Sequence, residues 1–340
     1  MKKNVKIAIV NSSTFGKHFP DLRKRLEKIG TIESYQFEPE VSGEELASAL
    51  SDCDFIIASV TPKFPRLLFE KNTKLQVLAR HGIGVNNVDL EAATEHGVLV
   101  TRVPAEPERD SVAELALALI MTCIRDVVPG ANSSKKLQWE DRSAYVGWEL
   151  SHMTVGVIGY GNIGSRVGEI IKEGFKTEVL AYDPNIADAV LAKAGVEPVS
   201  LHELLRRSDL ISINACRTPT NYHMIGKKEI GLMKDGVVIV NTARGELTDE
   251  HALAEAVKSG KIARLGVDVL EREPILDNHP FLNLQNVTVL PHLGGYSNRS
   301  LFHMDEKNVL DIENTFNGVV PSEIANPDVL IKGTRAKLSR

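Results

Sequence analysis

Cysteine is scarce in this sequence. Cys53, Cys123 and Cys216 are the only three in 340 residues. They are odd in number and far apart, which excludes a disulfide framework and a Cys-x-x-Cys metal clip and fits a reducing cytoplasm. Excess basic charge is also missing. Lys and Arg number 40 against 45 Asp and Glu, a net charge of -5, so no field invites nucleic acid or an anionic membrane. Long apolar runs are lacking too. Ile7 to Val10 is too short for the apolar region of a signal peptide, and no leader is expected. The stretch Ala113 to Ile124 carries Glu114 and falls short of the ~20 residues that span a bilayer. The histidines show no His-Glu-x-x-His or comparable spacing, and no serine sits in a nucleophile elbow. No nucleic acid, membrane or metal is therefore expected as a partner.

What is present is an average globular composition, 43% hydrophobic and 25% charged, in a chain long enough for two domains. Short β-branched runs alternate with helical segments over the first hundred residues: Val5–Val10, Asp21–Ile29, Asp54–Val60, Leu75–Ala79, Leu90–His96 and Val98–Thr101. Such alternation predicts a doubly wound parallel sheet, an α/β fold. After the polar stretch Ala105 to Asp110, Ser111 and Glu114 have capping-box spacing. They head a helix that is apolar nearly all round and expected to be buried between the domains. From Thr154 the alternation resumes, with strands predicted at Thr154–Ile158, Glu178–Tyr182, Leu210–Ile213, Val237–Asn241, Ala263–Val267 and Val287–Leu290. A last helix is predicted from Ser300 to Asn317. Few residues follow Pro327, so no regulatory domain is expected.

Within the second sheet, Val155 to Ile158 runs into Gly159-Tyr160-Gly161-Asn162-Ile163-Gly164 and then a helix. Gly159 permits the tight turn, Gly161 lets the backbone approach a pyrophosphate, and Gly164 allows helix and strand to pack closely. The helix amino terminus supplies N–H groups and a favourable dipole. Asp183 ends the next strand, about 20 residues on, where a carboxylate bonds the adenosine ribose and repels a 2′-phosphate. The expected cofactor is NAD.

Three further strand ends carry polar groups. The first runs into Thr242-Ala243-Arg244, the second into Asp268 and on to Glu273, and the third into Pro291-His292. Arg244 suits a substrate carboxylate, held by paired donors. His292 suits proton transfer to a carbonyl oxygen as hydride reaches carbon, and Glu273 suits pairing with the imidazolium. His279 is the rival histidine, but Asp277-Asn278-His279-Pro280 looks like a turn.

Together these motifs resemble the D-isomer-specific 2-hydroxyacid dehydrogenases, a family that includes D-lactate, D-2-hydroxyisocaproate and D-3-phosphoglycerate dehydrogenases. The likeness runs from about Leu75 to Asn326. It implies the catalytic trio Arg244, Glu273 and His292, and NAD contacts from Asn162, Ile163, Asp183, Thr242, Ala243 and Asp268, with Ala215 and Cys216 lining the nicotinamide side. Arg80-His81-Gly82-Ile83-Gly84-Val85-Asn86-Asn87-Val88-Asp89 is similar to the family's substrate loop, which implies that N–H groups around Ile83 and Gly84 meet the substrate carboxylate. The resemblance further implies a Rossmann NAD-binding domain, 104–296, inserted into a flavodoxin-like substrate domain, 1–103 and 297–333, and a homodimer joined through the cofactor domain. Asn214 and Cys216 depart from the histidine and proline common in the family. Glu273 argues against formate as donor. Tyr296 is unusual for phosphoglycerate enzymes.

The expected activity is NAD-dependent interconversion of a small 2-keto acid and its D-2-hydroxy acid. One alternative is a D-3-phosphoglycerate dehydrogenase, whose phosphate would draw on Lys63, Arg66, Arg80, Arg102 and Arg109. Another, of a different class, is an NAD-sensing corepressor-like binding protein.

Overall fold

Runs of four or five Val, Ile, Leu and Ala residues, too short for helices and apolar on both faces, become the inner strands of two parallel sheets. The computed structural model describes residues 5–338 and divides into two units, Met1–Pro107 with Tyr296–Arg340 and Glu108–Gly295.

The first unit holds β1 (Lys6–Val10), β2 (Thr31–Tyr35), β3 (Phe55–Ala58), β4 (Val77–Arg80) and β5 (Leu99–Thr101). They pair in parallel in the order β2-β1-β3-β4-β5, the flavodoxin-like doubly wound order. Every residue of β3, β4 and β5 is buried. The helix Asn298–Phe316 belongs to this unit, where Val309 and Ile312 pack with Ile7, Ile9 and Leu99.

The second unit holds β6 (Val155–Ile158), β7 (Val179–Tyr182), β8 (Glu197–Pro198), β9 (Leu210–Ile213), β10 (Val237–Asn241), β11 (Ile262–Val267) and β12 (Val287–Val289). Their order is β12-β11-β10-β9-β6-β7-β8. The chain winds one way from β6 to β8, then crosses back and winds the other way from β9. That is the Rossmann arrangement, and its switch point lies between β6 and β9.

Several local expectations are corrected. The helix predicted to start at Ser111 spans Ala105–Ile124. Pro107 falls in its first turn, where the missing N–H costs nothing. Ser111 does not cap it; its hydroxyl donates to the Gly294 carbonyl at 2.7 Å. Val112, Ala116, Leu119, Ile120 and Cys123 are buried, whereas Glu114 and Ala118 are exposed, so one stripe of this helix faces solvent. The last helix begins two residues before the predicted Ser300. β2 and β8 were not anticipated: both are edge strands with little apolar content to mark them.

Among the described residues, no helix is long and apolar enough to cross a membrane. No group of three or more His, Cys, Asp or Glu among them could hold a metal ion. The three cysteines are free; Cys53 and Cys123 are buried, and burial pushes both thiols up to about 12.

Candidate active site

The carboxyl ends of β6, β7, β9, β10, β11 and β12 form one edge of the second unit, and every chemistry-bearing residue predicted there stands on that edge. The sheet order sets them in a row: Asp183 after β7, the glycine turn after β6, Asn214 to Cys216 after β9, Arg244 after β10, Glu273 after β11 and His292 after β12. From β7 to β10 is three strand spacings, roughly 14 Å.

The three glycines have three different causes. Gly159 turns at φ +83°, and a Cβ there would lie 2.5 Å from the Ala215 backbone. At Gly164 a Cβ would lie 1.9 Å from the Gly159 carbonyl oxygen, so close helix packing forbids it. A Cβ on Gly161, the residue that caps the helix Asn162–Phe175, would meet nothing within 4 Å. Protein packing leaves that glycine unexplained, whereas close approach of a phosphate group explains it.

Asp183 is held in place. Its Oδ2 accepts the Tyr160 N–H and its Oδ1 the Asn185 N–H, both at 2.9 Å, which leaves lone pairs on each oxygen for ribose hydroxyls. Two more polar atoms mark the same edge: Thr242 Oγ1 and Asn214 Oδ1 are buried and have no hydrogen-bond partner among the described residues. Buried polar atoms are normally satisfied, so both suit contacts to a bound group. Asn214 donates its amide to the Ser212 carbonyl and hydroxyl, and its N–H bonds the Ile158 carbonyl across the switch point at 2.7 Å. The residues present therefore fit a dinucleotide.

A test follows from the contrast between two glycines. Gly161→Ala is expected to leave the melting temperature of the free protein unchanged and to weaken NADH binding roughly 5- to 150-fold, the equivalent of about 1–3 kcal/mol of overpacking. Gly164→Ala is expected to lower the melting temperature itself. Calorimetry and NADH fluorescence titration read the two effects, and equal NADH affinity for Gly161→Ala would remove the phosphate from this turn.

The His292 loop is anchored by Asp268, at the end of β11. The His292 N–H donates to the Asp268 carbonyl at 3.0 Å, and the carboxylate accepts the N–H groups of Leu293 and Gly294 at 2.7 and 2.8 Å. Asp268 is 1% exposed. Burial pushes its carboxyl up, against the pull of those two N–H groups and of His292. This anchoring holds His292 at φ +55°, a left-handed conformation uncommon for a residue with a side chain. Its Nδ1 lies 2.6 Å from Glu273 Oε2, while Glu273 Oε1 accepts the Leu270 N–H at 3.0 Å. Glu273 is thus fixed by backbone on one oxygen and orients the imidazole with the other, leaving Nε2 without a partner among the described residues.

Arg244 is aimed by Asn241, the last residue of β10. The Asn241 amide donates to the Arg244 carbonyl at 2.9 Å and accepts the Ala243 N–H at 3.0 Å. One guanidinium nitrogen, Nη1, donates to the Ala243 carbonyl at 2.6 Å. Arg244 makes no ion pair among the described residues, and its remaining donors suit a carboxylate. Gly245 lets this loop touch the glutamate segment: a Cβ there would lie 2.0 Å from the Leu270 carbonyl carbon. The sequence offered no direct sign of the roles of Asn241, Gly245 and Asp268 in anchoring these loops.

The rival histidine is elsewhere engaged. His279 Nε2 lies 2.9 Å from Glu250 Oε2, its ring packs on Phe281, and its side chain is 8% exposed. Cys216 is exposed. In the first unit, Ile83 and Gly84 are half-buried, and their N–H groups have no acceptor among the described residues.

Residues 117–294 match the family model described as D-isomer specific 2-hydroxyacid dehydrogenase, NAD binding domain. A D-3-phosphoglycerate dehydrogenase of Methanocaldococcus jannaschii is 41% identical over 275 residues, 81% of this chain and 51% of that protein. A glyoxylate reductase of Thermococcus litoralis is 32% identical over 313 residues, 90% of this chain and 94% of that one. The structure of a D-lactate dehydrogenase from Aquifex aeolicus, complexed with NAD and lactic acid, superposes with a TM-score of 0.79 at 29% identity, covering 98% of this chain and all of that one. The chain spans about half the length of the D-3-phosphoglycerate dehydrogenases it matches. On the matched NAD-binding domain and the near full-length likeness to a glyoxylate reductase, the chain belongs to the D-isomer-specific 2-hydroxyacid dehydrogenase family.

Proposed function

We propose that this protein reduces a small 2-keto acid to its D-2-hydroxy acid, and catalyses the reverse, with NAD. The observation that carries this is the 2.6 Å His292–Glu273 pair, on the strand ends next to the one that carries Arg244. Bound NADH supplies the hydride that reaches the carbonyl carbon. Arg244 holds the carboxylate with its free donors and polarises the adjacent carbonyl. His292 gives the proton on Nε2 to the carbonyl oxygen, and Glu273 keeps the ring oriented through Nδ1. In oxidation the same nitrogen takes the hydroxyl proton. Ile83 and Gly84 are assigned to the substrate carboxylate, and Asn162, Ile163, Asp183, Ala215, Cys216, Thr242 and Ala243 to the cofactor. Asp268, whose two oxygens serve Leu293 and Gly294, acts chiefly by holding the His292 loop.

D-3-phosphoglycerate oxidation is the second reading, favoured by the 41% identity to an enzyme of that name. The cations available for a phosphate speak for the smaller acid. Arg66 is paired with Glu95, Arg102 with Glu323 and Arg109 with Glu169. Arg80 is buried and bonds carbonyls, which leaves Lys63. A corepressor-like role would not call for the oriented His292–Glu273 pair.

The expected homodimer and cytoplasmic location stay part of the proposal. Leu137, Trp139 and Val146, in the cofactor-binding unit, are 92%, 65% and 76% exposed, an apolar surface that suits a second copy of this chain; light scattering reads the mass directly. The deciding experiment is NADH oxidation with glyoxylate, pyruvate, hydroxypyruvate, 2-ketoisocaproate, phenylpyruvate and phosphohydroxypyruvate. Turnover is expected with one of the unphosphorylated acids. A preference for phosphohydroxypyruvate selects the second reading, and inertness to all six removes the enzymatic one.

A further inference from the structure

The loop 82–89 of the first unit springs from a junction with more polar contacts than a strand end needs. Asp305, on the helix Asn298–Phe316, is 1% exposed. Its Oδ1 lies 2.8 Å from His81 Nε2, and its Oδ2 accepts the Gly16 N–H at 2.9 Å. One turn further along the same helix, the Asn308 side chain donates to the Arg80 carbonyl at 3.2 Å. The Arg80 guanidinium turns back to the carbonyls of Ala58 and His81, at 3.0 and 2.9 Å. The His81 N–H donates to the Ala58 carbonyl at 2.9 Å, and the ring packs on the edge of Phe15, centroids 5.9 Å apart. His81 is therefore fixed through both its backbone and its ring.

Burying a carboxylate costs desolvation that an apolar pair of the same size would not incur, so packing alone is a poor reason for Asp305. The next residues supply a better one. Gly82, at φ +146°, donates its N–H to the Arg80 carbonyl and accepts from Val103 at 3.1 Å. Ile83 and Gly84 follow, with N–H groups that have no acceptor among the described residues. The far end of the loop is anchored separately, where the Asn87 carbonyl accepts the Phe64 N–H at 2.7 Å and its side chain donates to the carbonyls of Ser59 and Pro62. The near end is held by the bonds of Arg80, His81 and Gly82, and among these the His81 ring is the part held by Asp305.

We propose that Asp305 is a positioning residue which, acting through His81, sets the direction in which Ile83 and Gly84 present their N–H groups to the carboxylate of a 2-keto acid. The inference rests on the substrate role assigned to those two groups. A carboxylate cradle made of backbone N–H groups has no side chain to re-aim, so its precision comes entirely from the anchors at its ends. A misplacement of about 1 Å costs as much as ~10²-fold.

The test is steady-state reduction of the keto acid best accepted by the unmodified protein, with NADH affinity and melting temperature measured alongside. Asp305→Asn is expected to raise KM about 10- to 100-fold while kcat stays within about 3-fold, with unchanged NADH affinity. His81→Leu is expected to do the same. His81→Gln, which keeps an N–H for Asp305, is expected to restore most of the loss. The double variant Asp305→Asn, His81→Leu is expected to be no worse than the poorer single one, since both act on one contact. Should Asp305→Asn fail to fold, the His81 pair decides. Unchanged KM in a folded variant, additive effects, or a His81→Gln protein as impaired as His81→Leu overturns the proposal while leaving the function standing. An unmodified protein inert to every 2-keto acid overturns both.

Discussion

Replacing His292 with alanine is expected to cut turnover of 2-keto acid reduction by about 10²–10⁴, the usual worth of a positioned acid–base group, while NADH binds as before. The selectivity of that loss follows from the geometry. His292 stands after β12, two strands beyond β10 and three beyond β9, so it touches nothing that holds the adenosine or pyrophosphate. The loop it sits on is fixed by Asp268 through backbone N–H groups, so truncating the side chain leaves the loop in place. Glu273→Gln is the informative companion. It keeps an acceptor for Nδ1 and removes the charge, converting a charge-assisted bond into a neutral one worth about 1–1.5 kcal/mol less. Its turnover is expected to fall between those of the unmodified protein and His292→Ala. Stopped-flow NADH oxidation with a parallel binding titration reads both quantities. Unaltered turnover in His292→Ala would take the histidine out of the chemistry.

Arg244→Ala is expected to have the second large effect, a fall in kcat/KM of about 10²–10⁴, from the loss of two charge-assisted hydrogen bonds at about 1.5–3 kcal/mol each. Arg244→Lys separates charge from shape. A lysine keeps the positive charge but loses the planar fork that grips a carboxylate with paired donors and polarises the neighbouring carbonyl. If the fork is what matters, kcat falls for both variants. If only attraction matters, lysine restores kcat and the defect stays in KM. Comparing full Michaelis curves for the two variants decides between these, and a kcat/KM for Arg244→Ala close to that of the unmodified protein would reassign the carboxylate to another group.

The inner strands were legible because burial on both faces forces continuous runs of Val, Ile and Leu. β9 and β10 have the predicted bounds, and β6, β7 and β11 differ by one residue at their starts. The edges were not legible. β2, Thr31–Tyr35, is half exposed along its length, and β8 has two residues; neither requires an apolar signature. The candidate site was placed for a related reason. In a parallel sheet, ligands gather at carboxyl ends, so Arg244, Glu273 and His292 could be singled out as candidates by position as well as by type, and the structure sets all three on one edge. Their supports could not be singled out in this way. The bonds from Leu293 and Gly294 to Asp268 join two strand ends far apart in the chain, and the close approach of Gly245 to Leu270 is a backbone contact. Neither leaves a periodic trace. Ser111 misled for the opposite reason: it has the spacing of a helix cap but serves Gly294.

The torsion angle of His292, φ +55°, ties reactivity to durability. A side chain held in that region is strained relative to the unfolded chain, which meets no such restriction, by about 1–3 kcal/mol. The strain persists only because the neighbouring strands over-determine the loop. A lineage selected for heat tolerance alone would thus find relief at this position, and a lineage that keeps the histidine must find its robustness elsewhere in the sheet. The imidazole's placement is maintained against that strain by the bonds from Asp268 and Glu273.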